Sequence, residues 1–123
     1  MKRMGHIIHL NPESKEEYLR LHRETWPEIL SIIARAGIRN YSIFLREPEG
    51  LLFAYWEYHG SDYKADMARL AAEPRMADWW EITDPMQTRL DSANDGEHWA
   101  PMSQVFFTDA APDNPNSLKE AAS

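Results

Sequence analysis

The fold is decided by one stretch of the chain, Leu51–Tyr58, which reads LLFAYWEY. Its aromatic and aliphatic residues favour a β-strand, and because strand side chains alternate between two faces, both faces of this strand are largely apolar. Asn40–Arg46 (NYSIFLR) has the same character, and the turn residues Glu47–Gly50 (EPEG) lie between the two, so a hairpin is predicted. One face of the hairpin needs covering helices, and the other needs a partner or a pocket.

Two more strands and two helical blocks are predicted on either side of this hairpin. Apolar residues at helical spacing mark the helices, and prolines fall where helical segments start. A polar, acidic loop at Asp91–Glu97 precedes the last strand. The predicted elements are the strand Met4–Leu10, a helix from Lys15 that is kinked or restarts at Thr25 and runs to Gly37, the helix Ser61–Ala72 with a further helical stretch from Pro74, and the strand Pro101–Asp109.

The first helical block carries two possible capping boxes. In this motif a Ser or Thr side chain caps the helix start, and a Glu three residues later bonds back to the cap residue. Ser14 with Glu17, and Thr25 with Glu28, have this spacing. They predict a helix that begins near position 15 and a second segment that begins at Thr25.

The element order βαββαβ predicts an α+β fold, a ferredoxin-like antiparallel sheet with the helices on one face. The domain is expected to span residues 1–109, and residues 110–123 have the composition of a C-terminal tail. A chain of 123 residues has no second layer for the other sheet face. We therefore expect a homodimer in which two sheets meet face to face, with the functional site in or beside the space between them.

The composition excludes several classes of function. The net charge is −7 and the basic residues are scattered, so nucleic acid is not an expected partner. The chain has no cysteine, which excludes thiol catalysis and thiolate metal sites. The sequence has no membrane span and no secretory signal pattern, so a cytoplasmic protein is expected. Five Trp, five Tyr and five His suit a small-molecule pocket.

Histidines are the first candidates for catalysis. His22 shares one helix face with Tyr18 and Trp26, because the three residues are spaced four apart. It could be a charged residue that stabilises a helix C-terminus, or a proton donor held among aromatic rings. His6 and His9 should point to opposite faces of a strand, so they are interpreted as packing residues rather than metal ligands.

Aromatic residues are the candidates for binding. Trp79 and Trp80 lie about 100° apart on a helix, so one can pack in the core while the other lines a concave surface, although both could be core residues. Tyr41 begins a strand, where hairpin packing would also explain it. Together with Tyr18 and His22, these side chains would form a pocket with flat apolar walls and a few hydrogen-bonding groups, which suits a sugar ring.

The spacing of several motifs resembles that of the L-rhamnose mutarotase family. They are YLRLH at 18–22, TWPEI at 25–29, GIRNYSIFL at 37–45, LLFA at 51–54 and the WW pair at 79–80. The resemblance implies a dimeric α+β barrel that interconverts the α and β anomers of a 6-deoxy-L-sugar without cofactor or metal. By position, His22 matches the proton donor of the family, and the sugar-binding positions are matched by Tyr18, Tyr41, Trp79 and Trp80.

One segment differs from the family pattern. Members related to rhamnose use commonly carry an Asn-Pro-Asp-Asn-Ser-Pro-like stretch before the last strand, whereas this chain has DSANDGE at 91–97 followed by His98 and Trp99. The expected substrate is L-rhamnose or, as the alternative for this branch, L-fucose. Two other classes fit the same features: a dimeric α+β barrel oxygenase or haem-degrading enzyme, and a non-catalytic small-molecule-binding module.

Mutarotation by ring opening requires only proton transfers. A base takes the proton of the anomeric hydroxyl, and an acid protonates the ring oxygen. An imidazole, with an ordinary pKa near ~6.5, can do either at neutral pH. His22 is therefore sufficient as one partner, and the second could be a tyrosine hydroxyl, a carboxylate or a water molecule.

Overall fold

The computed structural model describes residues 1–109, which form one antiparallel sheet with helices packed on one face. The expected tail at 110–123 lies outside the described residues. No helix in the described part is long and apolar enough to cross a bilayer. The strands are β1 (Lys2–Leu10), β2 (Ile38–Arg46), β3 (Leu51–Tyr58), β4 (Gln87–Thr88) and β5 (Ala100–Met102), and the helices are α1 (Lys15–Arg23), α2 (Pro27–Arg35), α3 (Tyr63–Ala72) and α4 (Pro74–Thr83).

Strand β1 is central in the sheet. It pairs with β3 along one edge, and on its other edge it pairs first with β5 and then, towards its end, with β4. Strand β2 completes the order β2-β3-β1-β4 by pairing with β3, and every pairing is antiparallel. This is the strand order of a ferredoxin-like sheet, so the predicted α+β fold is confirmed. Each predicted helical block is a pair of helices, broken before Pro27 and before Pro74.

The predicted hairpin forms, and its two faces differ in burial. In β3 the even-numbered residues, from Leu52 to Tyr58, are buried under the helices, while the odd-numbered residues are half-exposed. The core lies between the sheet and the helices, where Ile8, Ile29 and Leu52 are the most completely buried large side chains. Within residues 1–109 the helices therefore cover one face of the sheet, and no described element covers the other, which is called the free face below.

A β-bulge in β2 changes the direction of its side chains. Two residues of β2, Asn40 and Tyr41, stand opposite one residue of β3, Trp56. Asn40 has φ +52°, a left-handed conformation that Asn adopts more readily than most residues, and its side-chain amide donates to Glu57 at 3.0 Å. Because of the extra residue, Tyr41 turns to the helix-covered face, where its ring stacks on Trp56 with the centroids 6.4 Å apart.

The two predicted capping boxes are wrong. The structure gives Ser14 no side-chain cap bond within residues 1–109, and Glu17 pairs instead with Arg20 one turn later. The Thr25 hydroxyl donates to the His22 carbonyl at 3.0 Å, which closes the end of α1 rather than capping α2. A hydroxyl near a helix end can serve either the preceding or the following helix, and the short link between α1 and α2 favours the preceding one.

The last predicted strand, Pro101–Asp109, is also wrong in its bounds. Strand β5 covers only Ala100–Met102, and the residues after Met102 run exposed beside the sheet. Strand β1 continues to Lys2, but its pairing with β5 ends at Gly5, and the Arg3 guanidinium lies over the Phe107 ring at 3.5 Å. Strand β4 gives no signal in the sequence, because two residues are too few to show an alternating pattern.

Candidate functional site

A pocket of about 370 Å³ opens between the sheet and the helices. All five site residues predicted from the sequence line it: Tyr18, His22, Tyr41, Trp79 and Trp80. The pocket therefore lies on the helix-covered face, and the expectation of a site on the free sheet face was wrong. Helix α1 supplies Tyr18 and His22, and α4 supplies Trp79 and Trp80, both from the helix-covered side of the sheet.

The His22 ring is oriented by its own helix. Its Nδ1 lies 2.8 Å from the backbone oxygen of Tyr18, and since a carbonyl can only accept, Nδ1 carries the hydrogen. The neutral ring then has its lone pair on Nε2. Burial lowers the pKa of His22, although the Tyr18 carbonyl acts in the opposite direction. His22 is therefore neutral at neutral pH and can accept a proton at Nε2.

Aromatic rings surround this imidazole. The Tyr18 ring lies 4.2 Å from it, centroid to centroid, and the Trp79 ring meets it edge-on at 5.4 Å. Trp26, the third member of the predicted helix face, also meets Trp79 edge-on, at 5.1 Å. The aromatic contacts fix the imidazole plane and exclude water from most of its surface.

The two adjacent tryptophans have different environments. Trp79 is 6% exposed and belongs to the hydrophobic core, whereas Trp80 is 36% exposed. Both line the pocket. The structure thus combines the two alternatives left open by the sequence, since Trp79 joins the core to the pocket and Trp80 gives the pocket a solvent-facing wall.

Both pocket tyrosines are held in the neutral form. Burial, with a smaller contribution from Tyr41, raises the pKa of Tyr18 far above its usual range. Burial of the hydroxyl end raises the pKa of Tyr41 to about 12, although the residue as a whole is 42% exposed. Neither hydroxyl can act as a base near neutral pH, so both tyrosines serve the pocket through hydrogen bonds.

The C-terminal part of the domain supplies pocket residues that the sequence analysis did not select. Asp84 follows α4, Gln87 lies on β4, and His98 and Trp99 follow the polar loop. Burial raises the pKa of Asp84, while His98, whose Nε2 lies 3.5 Å from the carboxylate, opposes that shift. The signal for them in the sequence is the departure of the chain from the family pattern at His98 and Trp99.

An apolar cavity of about 220 Å³ adjoins the pocket and shares Tyr41, Trp79, Trp80 and Trp99 with it. His6 lines this cavity and stacks on Trp56, with ring centroids 5.7 Å apart. His6 thus packs as predicted, although its Nδ1 is buried without a hydrogen-bond partner among residues 1–109. The described residues contain no cluster of three or more His, Asp or Glu side chains that could hold a metal ion.

Comparison with known proteins gives the same family as the motifs. The model of the family described as L-rhamnose mutarotase matches residues 3–108. The chain belongs to the L-rhamnose mutarotase family. Among relatives in this family, the L-rhamnose mutarotase of Oceanobacillus iheyensis is 33% identical over 110 residues, covering 89% of this chain and all of the relative. That of Burkholderia ambifaria is 39% identical over 94 residues, covering 76% of this chain and 88% of the relative.

Solved structures agree on the fold. The L-rhamnose mutarotase from Formosa agariphila has a TM-score of 0.68 at 24% identity, covering 88% of this chain and 99% of the other. Tetracenomycin F2 cyclase from Streptomyces glaucescens, a polyketide cyclase, has a TM-score of 0.60 at 17% identity, covering 91% of this chain and all of the other. Because one fold serves both a mutarotase and a cyclase, the function of this member of the L-rhamnose mutarotase family must be argued from its pocket.

Proposed function

We propose that this protein is an isomerase that interconverts the α and β anomers of L-rhamnose without a cofactor, with His22 as the proton-transfer group. Family membership supports the reaction class. The observation that carries the assignment to His22 is the bond from its Nδ1 to the Tyr18 carbonyl at 2.8 Å, because this bond leaves Nε2 as a free base in a pocket with aromatic walls.

The reaction needs one proton to leave the anomeric hydroxyl and one to reach the ring oxygen. Nε2 of neutral His22 takes the hydroxyl proton as the bond from C1 to the ring oxygen breaks and the aldehyde forms. The resulting imidazolium then gives its proton to the ring oxygen. One imidazole can serve both oxygens because they are bonded to the same carbon. The aldehyde rotates, and the reverse steps close the ring on its other face.

The remaining pocket residues fit the sugar. The flat faces of Trp79 and Trp80 can stack on the C–H face of a pyranose, and the Tyr18 and Tyr41 hydroxyls can bond to its oxygens. The adjoining apolar cavity offers space for the methyl group of a 6-deoxy sugar. L-Fucose, which has the same methyl group, is the alternative substrate to compare.

The test is anomer exchange measured by saturation-transfer NMR on purified protein in a chelator. We expect faster exchange of L-rhamnose, and comparison with L-fucose and the D-sugars gives the specificity. An activity that is lost in chelator and restored by a divalent ion would contradict the cofactor-free mechanism. Sugar binding with no acceleration of exchange would support the binding-module alternative instead.

We also propose a homodimer through the free face of the sheet. Ile7, Phe53 and Phe44 stand side by side across β1, β3 and β2 on this face, and Phe44 is 63% exposed. Exposed Met102 on the neighbouring β5 extends the apolar area. A continuous apolar face of this kind is typical of a protein interface.

Light scattering tests this assembly. We expect a dimer at micromolar concentration, and Phe44→Glu should shift it towards monomer because it places a charge in the centre of the interface. Phe44 is exposed in the single chain, so the substitution should leave the fold intact. A wild-type monomer at micromolar concentration would contradict the proposal.

A further inference from the structure

A chain of polar contacts runs along the C-terminal wall of the pocket. The Asp84 carboxylate lies 3.5 Å from Nε2 of His98, and the same Nε2 lies 2.8 Å from Oε1 of Gln87. The side-chain amide of Gln87 then donates to the Tyr18 hydroxyl at 3.1 Å. All four residues line the pocket, and Gln87 is 8% exposed.

The direction of each hydrogen bond in this chain is fixed by its first member. The Asp84 carboxylate, 3.5 Å from Nε2 of His98, favours a hydrogen on that nitrogen, and this one N–H donates to the nearer acceptor, Oε1 of Gln87, at 2.8 Å. The Gln87 atom next to that N–H must then be the amide oxygen, and the amide NH₂ group must face Tyr18. Since the Tyr18 oxygen accepts from Gln87, its own proton is left for another acceptor.

We propose that Gln87 and His98 are positioning residues that hold the Tyr18 hydroxyl as a hydrogen-bond donor to the sugar. The proposal rests on the mutarotase function for its substrate. During ring opening, negative charge moves between the two oxygens on C1, and a fixed donor stabilises that charge at no cost of reorganisation. Tyr18 and His22 lie one turn apart with rings 4.2 Å apart, so donor and base face the same part of the pocket.

Because Gln87 is buried, the orientation of the Tyr18 hydroxyl depends on the Gln87 amide. Water cannot readily replace that amide as the partner of Tyr18. Without that amide, the hydroxyl of Tyr18 would be free to rotate and to accept from the sugar instead of donating to it. The loss should therefore appear in the rate, where the charge develops, more than in ground-state binding.

The first test measures hydrogen positions and needs neither a variant nor activity. Long-range ¹H–¹⁵N NMR spectra distinguish the tautomers of histidine rings in the wild-type protein. We expect hydrogen on Nε2 of His98, in contrast to His22, whose Nδ1 should carry it. A His98 ring with hydrogen only on Nδ1 would overturn the proposal, because the bond directions along the chain would then reverse.

The second test is a double-mutant cycle in anomer exchange. Gln87→Leu keeps the side-chain volume and should lower the exchange rate about tenfold while changing KM less than about threefold. In a Tyr18→Phe background the same substitution should have little further effect, because Gln87 acts through the hydroxyl. Fully additive effects in the folded double variant would overturn the proposal.

The third test separates hydrogen bonding by His98 from its bulk. His98→Gln can still donate to Gln87 and should retain most of the rate, whereas His98→Leu should fall to the level of Gln87→Leu. His59→Leu, a change at a histidine of similar exposure outside the pocket, is the matched control. Equal losses in His98→Gln and His98→Leu would contradict a positioning role.

The outcomes also separate this inference from the proposed function. If the wild-type protein exchanges no anomers, the mutarotase assignment fails, and the bond directions are still decided by the NMR measurement of the tautomers. If the wild-type protein is active but the cycle shows no coupling between Gln87 and Tyr18, the function stands and the positioning role fails.

Discussion

The pocket has two walls that are built in different ways. The α1 wall carries Tyr18 and His22 on a single helix, one turn apart, and is held by a bond from His22 to the backbone of Tyr18. The C-terminal wall carries Gln87 on a two-residue strand and His98 after a loop. Its key contact, from Gln87 to Tyr18, joins residues 69 positions apart.

The difference shows that the base is placed by secondary structure, whereas the direction of the neighbouring hydroxyl is set by tertiary contacts. Local helix geometry alone places the base and its tyrosine neighbour, so the α1 wall is fixed once the helix forms. The direction of the Tyr18 hydroxyl depends on tertiary contacts that bring β4 against α1. Substitutions on the two walls should therefore have effects of different size and kind.

The largest effect is expected from His22→Ala. Removing the base should lower the anomer-exchange rate by about 10² or more and change sugar affinity by less than about tenfold. Saturation-transfer NMR gives the rate, and tryptophan fluorescence titration gives the affinity. If the folded variant exchanged anomers at the wild-type rate, His22 would not be the base. The proposed difference in role between the two walls would then be wrong.

Trp79→Ala and Trp80→Ala should show which tryptophan contributes mainly to stability and which mainly to sugar binding. Trp79 is buried in the core, so its loss should destabilise the protein by about 3–5 kcal/mol in chemical denaturation. Trp80 is more exposed, and its loss should mainly raise KM, by about tenfold, with a much smaller change in stability. Equal stability losses for the two variants would show that the exposed ring also supports the core.

The pH dependence sharpens the role of the α1 wall. Because burial lowers the pKa of His22 below its ordinary value of 6.5, the rate should fall only when the pH drops below about 6.5. A lowered pKa also means that His22 binds fewer protons in the folded state than in the unfolded state. The free energy of unfolding should therefore decrease as the pH falls below the pKa of His22 in the unfolded chain. If acidification halved the rate at a pH still above 7, the assignment of His22 as the base would be contradicted.

The smallest effect is expected on the solvent side of α1. Glu17 and Glu24 both pair with Arg20, but all three side chains are about half-exposed or more. Exposed ion pairs contribute little, so Glu17→Gln should leave the free energy of unfolding and the exchange rate nearly unchanged. A larger change in thermal unfolding would mean that surface pairs, rather than buried Tyr18 and Leu21, hold the α1 wall in place.

The predictable parts of the molecule were those with regular spacing. The alternation in Leu51–Tyr58 predicted the hairpin, and the four-residue spacing from Tyr18 to His22 placed two pocket residues on one helix face. Gln87 gave no such signal, since its β4 strand has two residues and its partners are distant in sequence. The site was predicted on the wrong sheet face because alternation shows that two faces exist but not which one the pocket uses.

The bulge at Asn40 has a consequence for how this pocket can change. Beyond it, the odd-numbered residues of β2 face the helices, whereas before it Ile38 does so. Deleting Ser42 would restore a regular ladder with Tyr41 opposite Tyr55 on the other face of the sheet, whereas deleting Asn40 would leave Tyr41 opposite Trp56 on the helix-covered face. A three-nucleotide deletion in the gene could thus remove a pocket hydroxyl that would otherwise require a substitution, so the ligand range of this fold can evolve by backbone length as well as by side-chain identity.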